Sequence, residues 1–252
     1  MVEKTYIRSY KRIGILGGMG PLASNYFEKL LIGLNTVAQK DQDHVPLVHY
    51  VATTIPSRVA FLNGNGEDPV PEIRNGLKLL ESSGCQLCIL PCNTSHVLWN
   101  RFAEKSYGDM KLIHLIEEAS KGFSKQHVGI KKVGIVATTQ TINHRLYHDA
   151  LRKYGVEVVS PGGDDQELVM DAIFAFTLGV KATGDKVSDE AREILTGVVK
   201  RMAEKNELTH VIDGCTEVSV VFGDSVVEGI RMVDPLSIVA REILKMAGVA
   251  LS

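Results

Sequence analysis

The chain has 252 residues and a formal net charge of −2 at pH 7, so it has no basic footprint for nucleic acid or for an anionic membrane surface. Its four cysteines, Cys85, Cys88, Cys92 and Cys215, are grouped three to one rather than spaced as a disulfide framework, which points to a reducing, cytoplasmic setting. No apolar run reaches the roughly 18 residues of a spanning helix, and Gly14, Gly17, Gly18 and Gly20 break the first apolar stretch before it can form a signal-peptide core.

In chain order, Arg12 to Leu16 predicts a strand. Gly17-Gly18-Met19-Gly20-Pro21 then turns it into a helix from about Leu22 to Val37, with Pro21 in the first turn, where helices tolerate it. Gly18, Gly20 and Ala23 also satisfy the relaxed G-x-G-x-x-A dinucleotide fingerprint. That fingerprint wants an acid at the end of the next strand to hold a ribose, but Leu47 to Ala52 ends in Thr53-Thr54. Arg58 follows closely. It is either a solvated charge or a fork-shaped donor for a carboxylate at the mouth of a crevice. Asn63 to Asp68 reads as a loose surface loop, and Asp68 to Ser83 as a helix.

Leu87 to Leu90 is an apolar strand that ends in Pro91-Cys92-Asn93-Thr94-Ser95-His96. Ligands of α/β proteins bind beyond the carboxyl ends of strands, and a following helix would favour thiolate at Cys92. The plain alternative is a small buried hydrophobe, the fate of most free cysteines. Cys85-x-x-Cys88 has the spacing of half a zinc site, but no second ligand pair follows it, and Cys88 lies within the strand, so the pair reads as structural. No metal is expected. His96 is expected to cap or pack, with at most a supporting role.

Strand Lys111 to Leu115 leads to a helix from Ile116 to Gln126. Strand Val133 to Ala137 then ends in Thr138-Thr139-Gln140-Thr141, hydroxyls in place of the glycine turn. A helix from Thr141 to Tyr154, a strand Val156 to Ser160 and helices Asp165 to Leu178 and Ser188 to Lys205 follow, with Lys181 in the loop between the last two. Strand Val211 to Gly214 carries Cys215-Thr216-Glu217 at its end. Strand Gly229 to Val233 and a helix from Asp234 to Met246 close the chain.

The second cysteine changes the reading of the first. Lys11-Arg12-Ile13-Gly14-Ile15-Leu16 matches Lys131-Lys132-Val133-Gly134-Ile135-Val136, and each half later presents a cysteine after an apolar strand. The expected fold is α/β: two pseudo-symmetric lobes, each a mostly parallel sheet flanked by helices, with a cleft between them and one thiol on each wall. Lobe one would span residues 1–115, with 235–252 packing back on it, and lobe two residues 116–234. Lobes joined at few points would be free to close. Two thiols facing one carbon suit proton transfer on both faces, one acting as base and the other as acid.

The residues Ile13 to Pro21, Cys92-Asn93-Thr94 with His96, and Gly214-Cys215-Thr216-Glu217 together resemble the aspartate/glutamate racemase superfamily, and most its aspartate racemase branch, over nearly the whole chain. The resemblance implies interconversion of L- and D-aspartate without pyridoxal phosphate, metal or other cofactor, with Cys92 and Cys215 as the acid/base pair. It implies substrate contacts at Met19, Asn93, Thr94, Ser95, Thr139, Thr216 and Glu217. Arg58 and Lys181 would hold carboxylates and stabilise the charge that builds up as the Cα proton leaves. Ser95 stands where many relatives have alanine. The alternatives are a glutamate or broad-specificity racemase, and a non-catalytic small-ligand sensor on the same fold. A homodimer is the expected assembly.

Overall fold

The computed structural model describes residues 10–251. β1 (Ile13–Gly17), β2 (Leu47–Val51), β3 (Leu87–Ile89) and β4 (Lys111–Ile113) form a four-stranded parallel sheet in the order β2-β1-β3-β4. β5 (Lys132–Val136), β6 (Glu157–Val159), β7 (His210–Asp213), β8 (Val226–Val227) and β9 (Ile230–Val233) form a second sheet in the order β6-β5-β7-β9-β8, parallel except for the β8–β9 pair. Leaving out β8, the two sheets have the same strand order. The matched glycines occupy equivalent places, Gly14 opposite Cys88 on β3 and Gly134 opposite Val211 on β7. The duplication visible in the sequence is therefore a duplication of topology, and Cys92 and Cys215 follow corresponding strands.

β1 and β3 are buried along their whole length, as expected of parallel strands covered on both faces, and they read as unbroken apolar runs. Helices Val70–Ser82 and Asp189–Asn206 cover the outer faces of the two sheets. Their apolar clusters centre on Leu77 and Leu80 in the first half and on Leu195 and Val199 in the second. Between the sheets runs a third cluster that takes Ile13, Phe27 and Ile89 from one half, Ile135, Tyr147 and Ile212 from the other, and Val239 and Ile243 from the terminal helix Pro235–Ala247. That helix packs on Leu115–Gln126 and Pro21–Gly33, and Lys11 N donates to Ala247 O at 3.0 Å. The two halves thus share one continuous core, where the sequence suggested lobes joined at few points. Among the described residues, no helix is long and apolar enough to cross a membrane.

Two elements depart from expectation near the cysteines. The helix expected from Thr141 to Tyr154 is two short helices, Thr139–Asn143 and Leu146–Arg152, broken at Arg145, whose φ is 53°. The segment after Cys92 forms a 3-10 turn, Thr94–Leu98, before the short helix Trp99–Ala103. The helix expected to follow Cys92 directly is therefore a 3-10 turn and a five-residue helix.

Polar contacts cross the seam as well. Tyr26 on helix Pro21–Gly33 donates to Asp234 Oδ2 at 2.8 Å, and Leu236 N donates to Asp234 Oδ1 at 2.8 Å. Asp234 follows β9, and Asp213 ends the neighbouring β7 with both carboxylate oxygens buried and unpartnered among the described residues. Burial raises Asp234 to about 6 in spite of its hydrogen bonds. Burial, with the charges of Asp234 and Asp224, raises Asp213 well above the usual carboxylate range.

Both acids hold protons more tightly folded than unfolded, so stability is highest below the unfolded carboxylate range near 4 and falls as pH rises; for Asp234 that fall runs from about 4 to about 6. Asp213→Asn removes one of these groups. Its Tm is expected to match wild type at pH 4 and to exceed it at pH 8 by roughly 2–4 °C or more. Equal shifts at the two pH values in thermal melts would show that the carboxyl of Asp213 does not titrate in the fold.

Candidate active site

Cys92 sits just beyond β3, at 5 % exposure. Its carbonyl accepts from Ser95 Oγ at 2.8 Å and from His96 Nδ1 at 2.9 Å, while His96 Nε2 accepts from Leu115 N at 3.1 Å. The two bonds fix the tautomer, with the ring proton on Nδ1. Burial, together with His114, lowers His96 to about 3, so the ring is neutral at ordinary pH and acts as a brace for the turn. The next two residues are held from the other half. Asn93 Oδ1 accepts from Tyr147 at 2.7 Å, and Thr94 Oγ1 lies 3.0 Å from Thr138 Oγ1 and 3.4 Å from Thr141 Oγ1.

Cys215 caps the six-residue helix Thr216–Val221 and is also 5 % exposed. Its Sγ donates to Glu217 Oε2 at 3.0 Å, Thr216 Oγ1 donates to the same oxygen at 3.4 Å, and Lys181 Nζ donates to Glu217 Oε1. Burial opposes the charge on Glu217, but Lys181 and the hydrogen bonds outweigh it and hold the carboxyl below its usual range. Burial likewise opposes the charge on Lys181, and Glu217 reverses that. The thiol is left with the opposite balance. Burial and the negative Glu217 push Cys215 well above the usual thiol range, and Lys181 offsets this only in part. Cys215 therefore keeps its proton, which suits the acid of the expected acid/base pair.

Both cysteines line one cavity of about 30 Å³, with Met19, Arg58, Asn93, Thr94, Lys181, Thr216 and Glu217. That volume holds roughly one or two waters. It adjoins a chamber of about 560 Å³, and the two spaces share Met19, Ser57, Arg58, Phe174, Lys181 and Glu217 as their common wall. Arg58 is pinned there, donating to Met19 O at 2.7 Å and to Pro56 O at 2.9 Å, with Nε buried and without a hydrogen-bond partner among the described residues. Glu217 is the only carboxylate among the residues lining either space. Gly20 lets the turn approach the ion pair closely: a Cβ there would lie 2.6 Å from Glu217 Oε1 and 3.2 Å from Lys181 Nζ, so the tips of those side chains would have to shift. Gly18, at φ 92°, packs against the backbone of Ala52. The glycines that mimic a dinucleotide fingerprint thus serve close packing and the approach of the turn to the ion pair.

Residues 16–243 match the family model described as Asp/Glu/Hydantoin racemase. The chain belongs to this family of isomerases. An aspartate racemase from Picrophilus torridus superposes with a TM-score of 0.81 at 33 % identity, covering 96 % of each chain. An aspartate racemase homologue from Pyrococcus horikoshii OT3 superposes with a TM-score of 0.70 at 24 % identity, covering 94 % of this chain and 99 % of the other. A broad specificity amino-acid racemase from Bacillus subtilis (strain 168) is 26 % identical over 148 residues, which are 58 % of this chain and 63 % of that protein. The match thus spans a little under two thirds of that curated relative's length.

Two of the substrate contacts inferred for this racemase-family chain lie outside both spaces. Ser95 is fully buried, and its hydroxyl is used on the carbonyl of Cys92. Thr139 accepts from Gln166 Nε2 at 3.2 Å, and the hydroxyl lining the small cavity is Thr138, one residue earlier. Thr138 caps helix Thr139–Asn143 by accepting from Thr141 N, a role its position before a helical run allows. Tyr147 and Phe174 were also missed. An aromatic at helical spacing reads as core, and nothing in its local pattern points into a cleft. Lys181 lies on a short helix, Val180–Thr183, where the sequence suggested a loop. Cys85 and Cys88 are free thiols buried in the apolar cluster outside the first sheet.

If the charge of Glu217 keeps the proton on Cys215, Glu217→Gln frees Lys181 to favour the thiolate. Alkylation of Cys215 at pH 7 by a small haloacetamide, followed by peptide mass spectrometry, is expected to accelerate about tenfold or more. An unchanged rate would mean that burial alone holds the proton.

Proposed function

We propose that the protein is a cofactor-independent amino-acid racemase that interconverts L- and D-aspartate by proton transfer between Cα and two thiols. The observation that carries this reading is the single cavity bordered by both cysteines, with Cys215 holding its proton. In one direction the sulfur of Cys92, as thiolate, takes the Cα proton from one face. The Cys215 thiol delivers its own proton to the opposite face, leaving the inverted amino acid, a Cys92 thiol and a Cys215 thiolate. No net redox change occurs, and the reverse direction exchanges the roles. Arg58 and Lys181 are the cations available for the substrate's carboxylates, and Glu217 is the anion available for its ammonium group. The likeness to the Picrophilus torridus aspartate racemase supports aspartate as the substrate.

A broader specificity is favoured by one feature, the chamber of about 560 Å³ next to the thiols, whose wall includes the apolar Leu22, Ile55, Val180 and Val220. An amino acid with a longer side chain would extend into it. The Bacillus subtilis relative, named for broad specificity, is consistent with that use.

Proton NMR in D2O tests both readings. With wild type and L-aspartate, the Cα proton signal is expected to disappear as D-aspartate forms, and Cys92→Ala or Cys215→Ala should each slow racemisation by about 10²–10⁴-fold. If either variant racemises at close to the wild-type rate, the two-thiol mechanism fails. Under the aspartate reading, L-glutamate and L-methionine exchange at least about tenfold more slowly than aspartate, since a carboxylate site discriminates strongly against a ligand that leaves its polar groups unpaired. Comparable rates for all three would establish the broad reading instead.

A further inference from the structure

Tyr147 belongs to the second half of the chain, is 1 % exposed, and reaches across the seam so that its hydroxyl donates to Asn93 Oδ1 at 2.7 Å. Asn93 directly follows Cys92 and is 3 % exposed, and its amide nitrogen Nδ2 is buried with no hydrogen-bond partner among the described residues. A buried amide N–H without an acceptor is costly and rare in folded proteins. Asn93 lines the small cavity with both thiols, so the orphan donor belongs to a residue on the wall where a ligand would sit.

The direction of the Tyr147–Asn93 bond decides what the amide offers. Burial and the nearby acids Asp234 and Asp213 keep the phenol protonated. A protonated hydroxyl needs an acceptor, and Asn93 Oδ1 is the one it has. With Oδ1 engaged, the amide cannot turn over without stranding the phenol proton, so the NH2 group is the end left for the cavity. The hydroxyl contacts of Thr94 with Thr138 and Thr141 fix the next residue from the same side of the seam.

We propose that Tyr147 is a positioning residue that locks the Asn93 amide with its NH2 group toward the thiol cavity, where it donates to a carboxylate of the bound amino acid. The proposal rests on the amino-acid-binding part of the function above. Its chemistry is specific: an anionic acceptor satisfies the orphan donor, whereas a second donor cannot. It also explains why a large aromatic from one half ends on the residue beside the acid/base thiol of the other.

The experiment compares wild type, Tyr147→Phe, Asn93→Ala and the double variant, using L-aspartate affinity by calorimetry and the Cα exchange rate in D2O. Tyr147→Phe keeps the ring and removes only the hydroxyl. It is expected to weaken Kd and raise KM by about tenfold, with kcat changed less than about threefold. The double variant is expected to bind no more weakly than Asn93→Ala alone, since the hydroxyl acts through that amide. Unchanged affinity in Tyr147→Phe, or losses that multiply in the double variant, would overturn the proposal.

A wild-type measurement adds an arm that needs no variant to fold. The Asn93 side-chain amide resonances of 15N-labelled protein should shift on aspartate addition, and their failure to move in the bound complex would also sink it. Wild type that binds aspartate without exchanging Cα would overturn the racemase reading alone, because the affinities still decide the role of Tyr147.

Discussion

A single buried carboxylate organises the site. Glu217 accepts from Lys181, Cys215 and Thr216 at once, and it stays ionised because a cation and two weaker donors replace the water it has lost. Buried ion pairs contribute little net stability, so a pair kept inside a cleft is better explained by what it does to its neighbours. Here it adds to burial in keeping the proton on one thiol and forms a cation–anion pair on the wall between the thiol cavity and the larger chamber. It also meets the opposite half closely, since the turn at Gly20 passes beside it.

This arrangement depends on how the two sheets are held. Equivalent strands β3 and β7 both end at a cysteine, but duplication alone does not make those ends meet. The apolar cluster between the sheets, closed by helix Pro235–Ala247, fixes the halves against each other. The polar bridges Tyr147–Asn93, Thr94–Thr138 and Tyr26–Asp234 then fix orientation at the rim. The buried acids Asp213 and Asp234 sit behind this rim. Burial raises both. Asp213, with no hydrogen-bond partner among the described residues, favours its neutral form, which is cheaper to bury than a carboxylate without a cation. Asp234 is moderated by the donors Tyr26 and Leu236 N.

Much of this was legible in the sequence, because it was written twice. The repeated basic-apolar-glycine strand and the repeated cysteine gave the two sheets, their parallel character and the meeting of Cys92 with Cys215 at one cavity. Position after a strand left Arg58 as either a solvated charge or a crevice-mouth donor, and family resemblance favoured the second for it and for Lys181, since a lone arginine or lysine carries no local signal of burial. The proton state of Cys215 was not legible. It depends on burial first and then on the charge of Glu217, only two residues away, which Lys181 from 36 positions upstream sustains. Thr138 and Tyr147 escaped for a related reason: their contacts are with the opposite half, and chain periodicity reports only which face of an element is apolar. The break at Arg145 escaped as well. Its positive φ splits the expected helix, and the residue in that left-handed conformation is an arginine rather than a glycine or asparagine.

The small cavity is too tight for an amino acid, and that tightness bears on how a cofactor-free racemase would work. A ligand entering from the larger chamber meets Lys181 and Glu217 already paired. Separating them without replacement would leave two unpaired charges in a poorly solvated wall, a cost of several kcal/mol on the general scale for broken buried pairs. An amino acid carries both replacements, a carboxylate for Lys181 and an ammonium group for Glu217. Exchange of partners keeps every charge compensated while the wall opens, whereas a simple carboxylic acid or amine compensates only one side. When the ammonium group takes up part of the charge of Glu217, the field that held the proton on Cys215 weakens just as that proton is needed at Cα. Binding and acid strength are then coupled through one carboxylate. On the proposed function, this coupling lets a thiol that is a poor acid in the empty site become a better one only when a zwitterion is in place.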